Sequence, residues 1–469
     1  MLNVCESRFS HVCEGKSRRD FLQIGTCGLG GFGLSQLLGM KQAAARAGIS
    51  MEDKAVVLLF LQGGPPHIEM FDPKMTAPVE VRSATGEVKT SIPGVTFGGT
   101  FPQLAQRIER LTVVRSYGSG NASHTYQRVA SGGNPLKATM GAAYARIAGT
   151  NHPETGIPRN ILILPEVVQS DLKLKKNFET EALPTLTSAG DLGSSYSAFN
   201  PVGGGDLQQN MQMRLTRGRF QDRRYLMDAL DTMKRRFETF TKLNLTDKYQ
   251  QQAFDVIVKG VAEAFDWSKE DAKTIARYDT SHLFSNEAVH RWFDMSRASN
   301  LLGKQMLLAR RLCEAGCGFI TVSDCGWDFH SNQNSPRDLG GMSLLGPQVD
   351  HAVAAFLDDV QQRGLSDKIL LIITGEMGRT PRRNRNGGRD HYGGLTTLAF
   401  AGGGLKMGQV IGKSDRLARY PATEAYRPAH LLSSVMNNLF DIGQLRLEPG
   451  IPTGLLSWME QSPPIESLF

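Results

Sequence analysis

Four segments of this chain carry imidazoles, three of them together with carboxylates. They are Gln62-Gly-Gly-Pro-Pro-His-Ile-Glu-Met-Phe-Asp72, Gly118-Ser-Gly-Asn-Ala-Ser-His-Thr125, Asp324-Cys-Gly-Trp-Asp-Phe-His330 and the stretch from Glu376 to Asp390 and His391. Their candidate ligands are His67, Glu69, Asp72, His124, Asp328, His330, Glu376, Asp390 and His391. Hard and borderline divalent cations take this donor set. The expected cofactor is therefore a divalent metal, with Zn, Ca, Mg and Mn all open. Asp328 and His330 face one way if their segment is extended. Asp390 and His391 would face opposite ways in a strand, and a loop can converge them. Ser123 and Thr125 flank His124, just ahead of the helix start Tyr126-Gln-Arg-Val-Ala130. Hydroxyls there read first as caps, and as nucleophiles where a nearby cation lowers their pKa. Arg379, Arg382, Arg383, Arg385 and Arg389 surround the fourth segment. Guanidinium forks match phosphate and sulfate oxygens. Arg379, closest to the preceding strand, is expected to act on substrate, and the others read as a solvated basic loop.

The chemistry needs a scaffold that brings distant segments together. Apolar, unalternating runs occur at Ala55–Leu61, Leu111–Arg115, Asn160–Leu164, Gly318–Ser323, Ile369–Thr374 and Thr397–Ala401. Such runs read as buried, mainly parallel strands. Helical periodicity marks Leu215–Leu243, Gln250–Phe265, Ser296–Ala315, Leu345–Arg363 and Ala429–Phe440. The alternation predicts one layered α/β fold, with a helical cap or insertion around 215–300. Each candidate segment follows a predicted strand, and open α/β sheets place their sites at strand ends.

The N-terminus reads as a separate signal. Ser17-Arg-Arg-Asp-Phe-Leu22 precedes a weakly apolar run with six glycines between Gly25 and Gly39, and Ala45-Arg-Ala47 follows. This is the layout of a twin-arginine export signal with a cleavage site, covering residues 1–47. So many glycines would weaken an ordinary helix. The expected partner is the twin-arginine export machinery, and the expected location is periplasmic or secreted. Cleavage would lower the net charge from +7 to +4, because residues 1–47 hold six Lys/Arg and three Asp/Glu. That balance gives little support to nucleic-acid binding. No stretch of the mature chain is apolar and long enough to span a bilayer. Its three remaining cysteines, Cys313, Cys317 and Cys325, read as small buried residues rather than zinc ligands.

Several motifs, in order along the chain, resemble a known family. They are Gly63-Gly-Pro-Pro-His-Ile-Glu-Met-Phe-Asp-Pro-Lys74, Leu308-Ala-Arg-Arg-Leu-Cys-Glu-Ala-Gly316, Gly326-Trp-Asp-Phe-His-Ser-Asn332, Thr374-Gly-Glu-Met-Gly-Arg-Thr-Pro381, Gly388-Arg-Asp-His391 and Gly408-Gln-Val-Ile-Gly412. They are similar to the DUF1501 family of exported bacterial proteins, common in planctomycetes and grouped with the alkaline phosphatase and sulfatase superfamily. The resemblance implies a mainly parallel sheet with helices on both faces, over residues 48–469. It implies one or two divalent cations and cleavage of phosphate or sulfate esters, with a small-molecule or glycan ester as substrate. Asp328 and His330 resemble the superfamily's spaced ligands, His391 its late histidine, and Glu376 stands where an Asp-His pair is usual. Ser123 and Thr125 lie near the expected nucleophile. Gln62 and Gly63 stand where the superfamily has a metal-binding Asp, and no Cys-x-Pro-x-Arg signature occurs. The expected function is an exported metal-dependent ester hydrolase. The alternative is a non-catalytic envelope protein that binds a metal or an anionic glycan.

Overall fold

The computed structural model describes residues 53–202, 261–448 and 450–469. The chain divides into two compact units, Met1–Ser50 and Met51–Phe469. Everything described lies in the second, so the expected export signal falls outside the described residues. The centre of that unit is a seven-stranded sheet of order β11-β4-β10-β7-β1-β6-β5. Its strands are β1 (Ala55–Leu61), β4 (Thr112–Val114), β5 (Asn160–Ile163), β6 (Phe319–Asp324), β7 (Ile369–Thr374), β10 (Leu398–Gly402) and β11 (Gln409–Ile411). Two small ribbons join β2 (Glu87–Lys89) to β3 (Thr96–Gly98) and β8 (Gly378–Arg379) to β9 (His391–Tyr392).

The strand β1 pairs parallel to both β6 and β7, and β6 pairs parallel to β5. Every residue of β1, β6 and β7 is buried. Burial on both faces is what an unbroken run such as Ala-Val-Val-Leu-Leu-Phe-Leu requires. Among the flanking helices, α1 (Met140–Ala148) packs on β5 and β6, and α3 (Leu302–Glu314) on β6 and β1. The helix α4 (Met342–Gln362) packs along α3, and α5 (Pro428–Leu439) on α1. The expected mainly parallel α/β fold is therefore present, flanked by helices.

Two details differ from the expectation. The strand β10 runs antiparallel to β7 and β4. Among the segments between β7 and β10 no helix carries the chain back across the sheet, only the β8–β9 ribbon and loops. The chain re-enters from the end it left, which forces antiparallel pairing. The strand β11, too short to stand out as an apolar run, closes the sheet parallel to β4. Of the expected helical insertion, residues 203–260 lie outside the described set. The rest forms short helices, Ala262–Phe265, Ala272–Tyr278 and Asn286–His290.

A consequence follows for chemistry. The strands β1, β6 and β7 are adjacent and parallel, so their C-terminal ends share one sheet edge. The strand β4 points the same way, because β10 runs opposite to both β7 and β4. All four candidate segments thus leave the same edge.

A candidate metal centre at the strand ends

The segments converge on Asp328. Its Oδ1 lies 3.1 Å from His330 Nε2 and 3.4 Å from His391 Nε2, and its Oδ2 lies 3.4 Å from His124 Nε2. Three imidazole nitrogens from three loops thus face one carboxylate. His124, Asp328 and His391 each offer a ligand atom, all within 4.8 Å of one another. The Nε2 atoms of His330 and His391 are 3.0 Å apart. Two such nitrogens facing a carboxylate need a proton or a cation between them, since lone pairs alone would repel.

Carboxylates behind the imidazoles orient two of them. His124 Nδ1 lies 3.0 Å from Glu376 Oε1, and His330 Nδ1 lies 2.8 Å from Asp390 Oδ1. Each carboxylate accepts the Nδ1–H and turns Nε2 toward Asp328. This carboxylate–histidine arrangement is the usual support of a metal-binding imidazole. Phe178 stacks on the His124 ring at 4.0 Å between centroids and fixes its plane.

Electrostatics agree. Burial opposes charge on His124, but its hydrogen bonds to Asp328 and Glu376 raise its pKa to about 9. The hydrogen bond to Asp328 is the chief cause of the raised pKa of His330. Burial would raise the pKa of Asp328. The Arg379 charge and the three histidines outweigh it and hold that carboxyl far below the usual range. The pocket favours positive charge, as a cation site must. Two or three imidazoles with one carboxylate suit zinc and other divalent transition metals.

Local sequence explains the convergence. Gly63 has φ +116°, and a side chain there would put its first carbon 2.6 Å from Asp328 N. Only glycine lets the loop after β1 touch Asp328's backbone so closely. Gly63 N then donates to Glu376 at 3.0 and 3.3 Å, holding the carboxylate that orients His124. The ribbon pairs Arg379 with His391 and carries that histidine back to Asp328.

Other expected site residues stand elsewhere. Glu69 is fully buried against Arg389, with Oε1 2.8 Å from Nη2 and 3.0 Å from Nε. Its Oε2 accepts from Ser83 Oγ at 2.7 Å and Ala84 N at 2.9 Å. Asp72 pairs with Lys74 at 3.3 Å and Arg115 at 3.6 Å and accepts from Ser414 Oγ. His67 Nε2 contacts Ala418 O at 3.1 Å, and burial lowers its pKa to about 4. The geometry gives these three residues structural partners in place of a metal. Glu376 and Asp390 stand behind the imidazoles. Arg379 is fully buried and its donors are taken. Nε reaches Gly64 O at 3.0 Å, Nη1 reaches Arg389 O at 3.2 Å, and Nη2 donates to Gly63 O and Asp328 Oδ1. It braces Asp328 and has no fork left for a substrate. Arg389 is likewise buried, contrary to its reading as surface. The hydroxyls of Ser123 and Thr125 donate to Asn121 Oδ1 at 2.8 and 3.2 Å, and neither bonds to the Asp328 cluster.

Sequence reasoning passed over three residues. Asn121 ties the His124 loop together, its Nδ2 donating to Ser123 O, Thr125 O and Glu376 O at 2.8, 2.9 and 3.3 Å. Glu179, buried on α2 (Phe178–Thr187), accepts from Gly326 N at 2.7 Å, just before Asp328. Burial raises its pKa to about 8. Asp324 ends β6, where burial raises its pKa to about 7 against a hydrogen bond from Trp327 Nε1 of 2.8 Å. Asp324 could have been flagged from its place at a strand end. Nothing in the sequence reading set Glu179 apart.

Comparison with known proteins adds a family. The model of a family described as "Protein of unknown function (DUF1501)" matches residues 53–445. Comparison with curated proteins gives no match. Among solved structures, Ps i-CgsB in complex with k-i-k-neocarrahexaose is similar at 9% identity and TM-score 0.33, over 88% of this chain and 77% of that one. The PsFucS1 sulfatase from Pseudoalteromonas sp. is similar at 13% identity and TM-score 0.29, over 82% and 69%. The phosphonate monoester hydrolase SpPMH from Silicibacter pomeroyi is similar at 10% identity and TM-score 0.28, over 82% and 73%. Likeness at this level carries no reaction from those proteins to this chain.

Proposed function

The chain belongs to the DUF1501 family, and from its histidine–carboxylate cluster we propose that it is an exported, metal-dependent hydrolase of phosphate or sulfate esters. The observation that carries the proposal is the set of three Nε2 atoms around Asp328, two of them backed by carboxylates. His124, Asp328, His330 and His391 would hold a divalent cation. When bound, such a cation polarises an ester oxygen and lowers the pKa of a coordinated hydroxyl or water. Glu376 and Asp390 keep Nδ1–H on His124 and His330, so that each Nε2 presents a lone pair. Arg379 clamps Asp328 Oδ1 and leaves Oδ2 turned toward His124. Ser123 and Thr125, on either side of His124, are the nucleophile candidates, and Asn121 orients both hydroxyls. Attack by either would require it to turn from Asn121.

Export rests on the paired Arg18 and Arg19 and the run that follows. No helix among the described residues is long and apolar enough to cross a membrane. A second reading, a non-catalytic metal- or glycan-binding protein of the envelope, is favoured by the hydroxyls that turn away from the cluster.

Metal analysis of protein purified without chelator, with assays on aryl phosphate and aryl sulfate, tests the proposal. Stoichiometric metal and turnover, both lost in His391→Ala, support the hydrolase. Metal without turnover on a broad ester panel supports the second reading. Absence of metal, with His330→Ala and His391→Ala indistinguishable from the parent protein, defeats both.

A further inference from the structure

The loop that delivers His124 also seats two arginines. A side chain at Gly118 would put its first carbon 2.6 Å from Arg427 Nη1, and one at Gly120 would put it 3.0 Å from Arg128 Nη2. Gly118 O accepts from Arg427 Nη1 at 3.4 Å. Both guanidiniums therefore lie against the bare backbone of a loop whose last residues are Ser123, His124 and Thr125. Both charges also act on the buried Tyr117 hydroxyl, which has no hydrogen-bond partner among the described residues.

These arginines and Lys137 border a groove of about 590 Å³ that also takes in Thr125, Gly132 and Trp458. Among the described residues no carboxylate lines it. Among the described residues, none of the three cations has an acidic partner within ion-pair distance. Trp458 is half-buried, and its Nε1–H donates to Gly132 O at 3.3 Å, which fixes the ring. Positive charge gathered in a concavity without counter-charge draws anions. Guanidinium forks match sulfate, phosphate and carboxylate oxygens. A fixed indole offers an apolar plane beside them, suited to the face of a sugar ring. Thr125 lines the groove while its neighbour His124 faces Asp328, so the groove opens one residue from the metal cluster.

We infer that this groove is a subsite for a second anionic group of an acidic oligosaccharide whose reacting ester lies at the His124–Asp328 cluster. The inference rests on the hydrolase reading and names its substrate class, a polyanionic glycan ester. A nucleic acid fits less well, since its backbone is tracked by an extended basic face with several stacking aromatics. Here three cations and one aromatic share a short concavity.

Calorimetry on the full-length mature protein tests this with four probes. They are a sulfated tetrasaccharide, its desulfated counterpart, a galacturonate tetramer and a single-stranded oligonucleotide of matched charge. The sulfated and carboxylated probes should bind, and the desulfated one at least about tenfold more weakly. Arg128→Gln and Arg427→Gln should each weaken sulfated-probe binding about tenfold, and Lys137→Gln, at an exposed position, similarly. Metal content should be unchanged in all three. His391→Ala should lose metal and keep oligosaccharide affinity, so failure of the cluster and failure of the groove are separable. Unchanged affinity in the Arg128→Gln/Arg427→Gln and Lys137→Gln variants would overturn the inference. Equal binding of the desulfated probe, or tighter binding of the oligonucleotide, would do so too.

Discussion

Asp328 is the residue on which the site turns, and its neighbours divide into ligands and supports. If Glu376 and Asp390 orient imidazoles, replacing them weakens metal binding without abolishing it. Glu376→Gln and Asp390→Asn should each lower metal affinity roughly 10–100-fold, read by competition with a chromogenic chelator. Asp328→Asn should remove binding altogether. Arg379 separates two roles in one measurement. A substrate-binding arginine would raise KM when replaced and leave stability alone. A buried brace such as this one should instead cost about 3–5 kcal/mol of stability in Arg379→Met, read by denaturant unfolding, because Asp328 loses its buried cation partner and the carbonyls of Gly63, Gly64 and Arg389 lose their donor.

At the scale of elements, the site depends on loops pinned to one another rather than on helices. The pair of Glu69 and Arg389, both fully buried, ties the segment after β1 to the loop between β8 and β9. Arg389→Met should destabilise the protein by about 3–5 kcal/mol and loosen His391, seen as faster amide exchange around residues 388–392. Gly63 makes the complementary case. Gly63→Ala changes no ligand, yet the added carbon would sit 2.6 Å from Asp328 N. It should lose bound metal, and full retention of metal would show that the close approach does not matter.

The whole molecule carries buried titratable groups that make its stability depend on pH from both sides. Glu179 has a folded pKa of about 8 against an ordinary 4.5, so the folded state keeps a proton that the unfolded chain releases. Its contribution is intact at low pH and is lost as pH rises from 4.5 to about 8. His67 works the other way, with a folded pKa of about 4 against 6.5. It costs stability as pH falls from 6.5 to about 4, where the unfolded chain takes up a proton that the folded state refuses. Melting temperature should therefore fall on both the acid and the alkaline side, and Glu179→Gln should flatten the alkaline slope. A divalent cation at about 100 times its Kd should add about 2.7 kcal/mol, reversed by chelator and absent in Asp328→Asn.

The elements were readable because their causes are local. Apolar runs such as Ala55–Leu61 and Ile369–Thr374 became the strands expected, residue for residue. The two-residue spacing of Asp328 and His330 brought both to one side, as an extended segment must. The position of each candidate segment after a strand was enough to send all four to one sheet edge, because parallel strands end together. Which carboxylate touches a metal and which stands behind a histidine was not readable, since that depends on contacts between residues hundreds of positions apart. His67, Glu69 and Asp72 carry the same side chains as true ligands. They differ only in meeting Ala418, Arg389, Lys74 and Arg115 first. Arg379 looked like a grip on substrate and Arg389 like a member of a solvated loop until burial gave their donors partners inside the protein. Composition and periodicity determined the sheet, its edge and the kinds of atoms gathered there. The packing of loops across that edge, through glycines that admit close backbone approach, decided which atoms meet.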